Sequence, residues 1–225
     1  MPPRPKYTRE EIIRAAYELT REKGIDAVAA REVGKRLNTS ASPIFTVWNS
    51  MEELKAEVLS LAKQRYQDYM ADVFDYAPAF KEFGMRFVAF AAEEPNLYRL
   101  LFLSRRSAHS PYAHFRQDFA DMRAALMREI GHTFLLSESD AEDLLDHMIV
   151  FANGIAAFML TDPDSFSKET VSRDLSRVCL GLVLADRIKD GTLDAETATA
   201  MAQASMDAPL PRRKAEAQAQ AVRHD

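Results

Sequence analysis

The stretch Arg31-Glu32-Val33-Gly34-Lys35-Arg36-Leu37-Asn38-Thr39-Ser40-Ala41-Ser42-Pro43-Ile44-Phe45-Thr46-Val47-Trp48 decides the fold. Val33 and Leu37 stand four residues apart, as do Ile44 and Trp48, so each pair occupies one face of a helix and points inward. Asn38-Thr39 between them reads as a turn. Ser40 is placed to cap a third helix with Pro43 in its first turn, where a missing N–H costs little. Ser42, Phe45, Thr46 and Asn49 then face outward. Upstream, Thr8 with Glu11 three residues later forms a capping box. Ile12, Ala16 and Leu19 recur on one face of the helix it opens, and Gly24 stops that helix, since glycine takes the left-handed conformation cheaply. Met51-Glu52-Glu53-Leu54 closes the unit.

Two short helices joined by a tight turn, the second presenting small polar side chains, form a unit that can lay a helix in the DNA major groove. Residues 8–54 resemble the DNA-binding domain of the TetR family of bacterial transcriptional regulators. The resemblance rests on the order of Gly24, the paired apolar positions, Ser40, the aromatic pair Phe45 and Trp48, and Glu52-Glu53-Leu54. It implies an all-α chain, with an N-terminal three-helix helix-turn-helix domain and a C-terminal helical bundle for effector binding and dimerisation. The function implied is a ligand-responsive repressor, released from DNA by a small apolar or amphipathic effector. Groove contact falls to Thr39, Ser40, Ser42, Pro43, Phe45, Thr46 and Asn49. Lys6, Arg9, Arg31 and Lys35 are the candidates for phosphate contact. Phe45 stands where the family usually has a tyrosine whose hydroxyl meets a phosphate, and Met51 where it usually has a lysine. These departures keep a second reading open: a helical protein-interaction module of the same fold that has weakened or lost DNA binding.

The chain has 225 residues and a formal net charge of −5. Residues 1–51 hold nine Lys/Arg and six Asp/Glu, a surplus of three positive charges, which leaves the remainder at −8. An acidic body discourages nonspecific wrapping and makes the N-terminal unit the electrostatic footprint for a polyanion. With 47% hydrophobic residues, one cysteine and no long apolar run, the composition predicts a cytoplasmic protein without a disulfide framework.

The expected boundaries are 1–51 for the N-terminal arm and helix-turn-helix, 52–206 for the helical body, and 207–225 for a disordered tail. In the body, one helix is expected from about Glu52 to Asp75, another from Ala79 to Glu94, and one from Pro111 to Ile130 ended by Gly131. Ser139 with Glu142 caps a helix over 140–160, and Ser167 caps one over 167–189, ended by Gly191.

Phe83, Phe87, Phe90, Tyr98, Phe102, Phe115, Phe119, Met122, Met148, Phe151 and Phe158 are the candidate effector-binding residues, since large rings and adaptable methionines suit an apolar ligand. The competing reading is that any helical bundle needs such residues to fill its core. Small residues at Asn153-Gly154-Ile155-Ala156-Ala157, with a stripe of Leu175, Val178, Cys179, Leu182 and Ala185, point to a homodimer through helices 140–160 and 167–189. No histidine stands at a compact ligand spacing, so no metal or other cofactor is expected. No catalytic motif supports an enzyme.

Overall fold

The computed structural model describes residues 7–105, 110–189, 191–194, 196 and 197. Lys6 and the expected tail at 207–225 lie outside them. Helices α1 (Arg9–Lys23), α2 (Ala30–Arg36), α3 (Met51–Met70), α4 (Ala79–Glu93), α5 (Pro95–Tyr98), α6 (Pro111–Asp118), α7 (Ala120–Phe134), α8 (Glu138–Met159) and α9 (Lys168–Lys189) follow in order. No strand occurs among the described residues. The protein is all-α, a helix-turn-helix unit followed by a helical body. Its residues form two compact units, Met1–Tyr69 with Glu93–Asp118, and Met70–Ala92 with Phe119–Asp225.

In the first unit, α1 opens on the expected capping box. The Glu11 N–H donates to the Thr8 hydroxyl at 3.2 Å and the Thr8 N–H to the Glu11 carboxylate at 2.8 Å. Gly24, at φ +85°, ends the helix. Ile12, Ala16, Leu19, Val28, Val33, Ile44, Trp48, Leu54 and Val58 form one buried core. Farther along the unit, Tyr66, Tyr98, Phe102 and Phe115 form a ring cluster, with centroids 5.0 Å apart for Tyr66–Phe102 and 4.8 Å for Tyr98–Phe102. Lys63 on α3 meets Asp118 on α6 at 2.6 Å.

In the second unit, α4 is capped from outside itself: the Glu129 carboxylate of α7 accepts the N–H groups of Ala79 at 2.8 Å and Phe80 at 3.0 Å. This satisfies two of the donors a helix start leaves open. Phe83, Phe87 and Phe90 on α4 are buried. The inward faces of α8 and α9 bury Leu144, Leu145, Ile149, Ala152, Ile155 and Ala156 from α8, and Val171, Leu175, Cys179 and Val183 from α9.

Four boundaries differ from the sequence expectation. The helix opened at Met51 stops at Met70 instead of Asp75, and a 3-10 turn over Val73–Asp75 carries Val73 fully into the core. The expected helix from Pro111 to Ile130 breaks at Phe119, whose buried ring lies where α6 ends and α7 begins. Ser137, not Ser139, caps α8, its hydroxyl accepting the Asp140 N–H at 3.1 Å. Gly131 lies inside α7, which runs to Phe134 and ends on Leu135 in the left-handed conformation at φ +55°. A Cβ added at Gly131 would stand 3.4 Å from the Leu136 carbonyl oxygen, an ordinary contact. At the far end the expectation holds, with Ser167 accepting the Thr170 N–H at 3.2 Å and Gly191 following α9 at φ +75°.

Leu135 is 82% exposed, so it accepts left-handed strain without packing in return. Leu135→Gly should raise the unfolding free energy by about 1 kcal/mol, less whatever the freer unfolded chain takes back; chemical denaturation measures it. Burial pushes the Cys179 thiol up to about 12. At pH 8 it stays protonated and enclosed, so an aromatic disulfide reagent should react with it only after denaturant is added.

Candidate nucleic-acid interface

The turn after α2 is built around a missing side chain. A Cβ on Gly34 would lie 2.8 Å from the Ser40 carbonyl oxygen and 3.0 Å from that of Thr39. Only glycine lets the backbone of residues 39–40 lie against α2. The Thr39 N–H donates to the Gly34 carbonyl at 2.8 Å, and Asn38 reverses the chain at φ +53°, a conformation asparagine tolerates better than most residues. The Tyr7 hydroxyl donates to the Leu37 carbonyl, fixing the residue ahead of the α1 cap to the end of α2.

The third helix is shorter than the spacing predicts. Residues 44–46 form a single 3-10 turn, and Trp48 N–H to Ile44 carbonyl, at 3.0 Å, is the α-type bond that follows it. Side chains explain the shortening. The Thr46 hydroxyl donates to the Pro43 carbonyl at 2.6 Å, and the Ser40 hydroxyl accepts the Ser42 N–H at 3.4 Å. Both offer the backbone local partners that compete with an α-helical ladder. Ser40 therefore shapes a local turn instead of capping a longer helix. Ile44 and Trp48 nevertheless point inward as expected, at 0% and 2% exposure.

The expected contact residues divide by what already occupies them. Ser40, Ser42, Phe45 and Thr46 are exposed, Phe45 at 53%, while Thr39 and Pro43 are half-buried. Arg31 and Lys35, one turn apart on α2, are exposed and pair with no carboxylate among the described residues. Arg9 is engaged. Its guanidinium pairs with Glu57 and lies 5.0 Å over the Trp48 ring, while Trp48 Nε1 donates to the same Glu57 carboxylate at 2.7 Å. Asn49 is also engaged, its N–H donating to Glu53 at 2.9 Å and its Nδ2 at 3.2 Å. Glu53 in turn donates its N–H to the Ser50 hydroxyl at 3.2 Å, which starts α3. Arg36 ties α2 to α1 by a two-pronged pair with Glu22, at 2.7 and 2.6 Å.

Sequence reading missed Gly34, Tyr7, Glu53 and Glu57. A glycine inside a helical pattern, which costs about 1 kcal/mol against alanine, was the one signal for Gly34. No local pattern marks Glu57, because its partners Arg9 and Trp48 lie 48 and 9 residues away.

Residues 12–58 match the family model described as bacterial regulatory proteins, tetR family. The chain carries the TetR-family DNA-binding domain. The TetR-family match covers the helix-turn-helix and most of the core just described. Among solved structures, a transcriptional regulator from Rhodococcus sp. Rha1 aligns over 80% of this chain and 97% of its own, at 16% identity and a TM-score of 0.54. At that identity the likeness speaks for the fold. NalD, the secondary repressor of the MexAB-OprM multidrug efflux pump in Pseudomonas aeruginosa, aligns over 76% of this chain and 92% of its own, at 14% identity and a TM-score of 0.47. No curated protein matches the chain.

The candidate effector residues are distributed over both units. Tyr98, Phe102 and Phe115 are buried in the first. In the second, Phe83, Phe87, Phe90 and Phe119 are buried, Met122, Met148 and Phe151 half-buried, and Phe158 is 64% exposed. No group of three or more His, Cys, Asp or Glu among the described residues could hold a metal ion, and no described helix is long and apolar enough to cross a membrane.

The close approach at Gly34 makes a sharp test. Gly34→Ala adds helix propensity worth about 1 kcal/mol, yet its methyl meets backbone that cannot swing away, an overpacking cost of about 1–3 kcal/mol. The net effect should be a lower melting temperature, with the circular-dichroism transition as readout; an unchanged or raised melting temperature would refute the close approach.

Proposed function

We propose that the protein is a homodimeric, DNA-binding transcriptional repressor that a small apolar or amphipathic effector releases from its operator. Residues 1–51 serve as the N-terminal arm and DNA-binding domain, and residues 52–206 as the effector and dimer domain. The observation that carries the reading is the surface around the turn after α2. Ser42, Phe45 and Thr46 are exposed on a buried support, and Arg31 and Lys35 are exposed on α2, the helix that leads into the turn, with no carboxylate among the described residues to neutralise them. Small polar side chains suit base edges, and uncommitted cations suit phosphates. Arg9 and Asn49, which the sequence also nominates, act through Glu57 and Glu53 as supports of that surface. Arg9 reaches phosphate only by exchanging its present partner.

Outward faces of α8 and α9 support the dimer. Val150 and Phe158 are each 64% exposed and Ile188 47%. Gly154 and Gly181 are exposed, with nothing within 4 Å of where a Cβ would stand. Apolar side chains beside open glycines allow helices of a second copy to approach closely. Leu175 and Cys179 belong to the inward face, so the dimer stripe on α9 runs through Gly181, Ala185 and Ile188. Two reading turns held about one helical repeat apart, ~34–36 Å, match a two-fold operator. An effector held among the rings of the body that shifts α3 would spoil that spacing.

Selection from random duplexes, followed by binding at several salt concentrations, tests the reading. Alanine at Arg31 or Lys35 should weaken binding across sequences and reduce the salt slope by ~0.9 for each phosphate left unneutralised. Phe45→Tyr adds one hydroxyl and should tighten binding by on the order of tenfold or less, without changing sequence preference. Met51 packs on the edge of the core, and a lysine stem can follow the same path with its ammonium in water. Met51→Lys should therefore steepen the salt dependence. A wild type with no sequence-selective binding at low salt would favour the protein-interaction module, a reading in which the exposed Phe45 ring docks on protein.

Sedimentation checks the dimer. The wild type should remain dimeric at micromolar concentration, and Ala157→Glu, at an exposed position beside Phe158, should yield monomers. A monomeric wild type would overturn the assignment.

A further inference from the structure

Glu94 is the most deeply buried carboxylate among the described residues, with its side chain 6% exposed. It precedes Pro95, yet its side chain does not cap the helix that starts there. Two arginines hold it. Arg21, in the last turn of α1, donates Nε to Oε2 at 2.9 Å and Nη2 to Oε1 at 2.7 Å, a two-pronged pair. Arg65, on α3, donates Nε to Oε1 at 3.4 Å. One residue beyond the proline, Asn96 Nδ2 donates to the Arg21 carbonyl at 2.9 Å, so the side chain and the backbone of Arg21 are gripped together. These bonds join α1, α3 and the segment 94–96.

We propose that Glu94 is a positioning residue for DNA binding, a buried carboxylate that sets the orientation of the helix-turn-helix on residues 93–118 through Arg21 and Arg65. The inference rests on the DNA-binding reading above and adds to it the contact that aims the reading turn. The helix-turn-helix core runs from Ile12 to Val58 and takes no buried residue from 93–118. Residues 93–118 meet it through the packing of α1 on α5 and through the bonds of Glu94 and Asn96. The carboxylate adds a fixed direction to that packing. A two-pronged arginine pair also fixes direction, which a single hydrogen bond or an apolar contact leaves looser. A neutral amide in its place keeps the shape but turns an N–H toward one of the guanidinium groups.

Orientation matters when two reading turns must engage two half-sites at once, and it matters little for one half-site alone. Without the clamp, the effective concentration of the second reading turn at its half-site falls. The experiment uses full-length protein, a duplex selected by the wild type, and the same duplex with one half-site scrambled. Glu94→Gln should weaken binding to the intact duplex by on the order of tenfold and change binding to the single half-site by less than about twofold. Arg21→Gln removes the two-pronged partner and leaves Arg65 to neutralise the carboxylate. It should show the same split if Glu94→Gln folds poorly. Parallel weakening on both duplexes would reduce Glu94 to a support of the fold, and unchanged binding on both would remove any role; each overturns the proposal. A wild type that selects no sequence is a different failure, that of the DNA-binding reading itself, and ends this inference with it.

Discussion

Burial of Trp48 and Ile44 in one core with Ile12, Ala16, Leu19 and Val33 is the constraint on which the N-terminal unit hangs. A tryptophan removes about 200 Å² from water, worth about 5 kcal/mol at the usual apolar coefficient. That is as large as the whole stability of many small domains. Because Ile44 and Trp48 bracket the 3-10 turn, burying both drives the intervening Phe45 and Thr46 to the surface. The indole N–H still needs an acceptor, and Glu57 supplies it while drawing Arg9 over the ring face. The exposed reading surface is the outward side of a packing solution, held against α2 by the absence of a side chain at Gly34.

Charges in this unit fall into two groups with different work. Arg9, Arg21 and Arg36 meet Glu57, Glu94 and Glu22, and their geometry serves the fold. Arg14, Lys23, Arg31 and Lys35 form no ion pair with a carboxylate among the described residues, and the last two lie on α2, the helix that leads into the turn. Counting basic residues along the chain gives a positive N-terminal segment. Pairing them in space shows that three of its nine basic residues, Arg9, Arg21 and Arg36, are held by carboxylates at short range.

The body presents two faces on its longest helices. Inward, α8 and α9 bury Leu145, Ala152, Ile155, Ala156, Leu175 and Cys179. Outward, Val150, Phe158 and Ile188 stand exposed beside open glycines. Water is a poor environment for such a surface, and its small residues admit a second pair of helices closely. Most of the aromatic residues of the body are buried, and Phe158 lies on the outward face.

Periodicity, capping residues and glycine positions carried the helical class, the order of helices, the capping box at Thr8 and the end of α9 at Gly191, because each depends on residues within one or two turns of each other. The pairs Val33 with Leu37 and Ile44 with Trp48 were likewise enough to orient the reading turn. Tertiary structure alone decided the rest. Whether Arg9 and Asn49 are free for DNA depended on Glu57 and Glu53; where α7 stops depended on a left-handed Leu135; and the clamp at Glu94 joins residues 73 positions apart. A hydrogen bond or ion pair between distant residues leaves no local period, since its energy depends on which side chains the folded chain brings within about 3 Å. Helical propensity and amphipathic spacing are properties of neighbours, so they can be read along the chain. Partnership is a property of the fold.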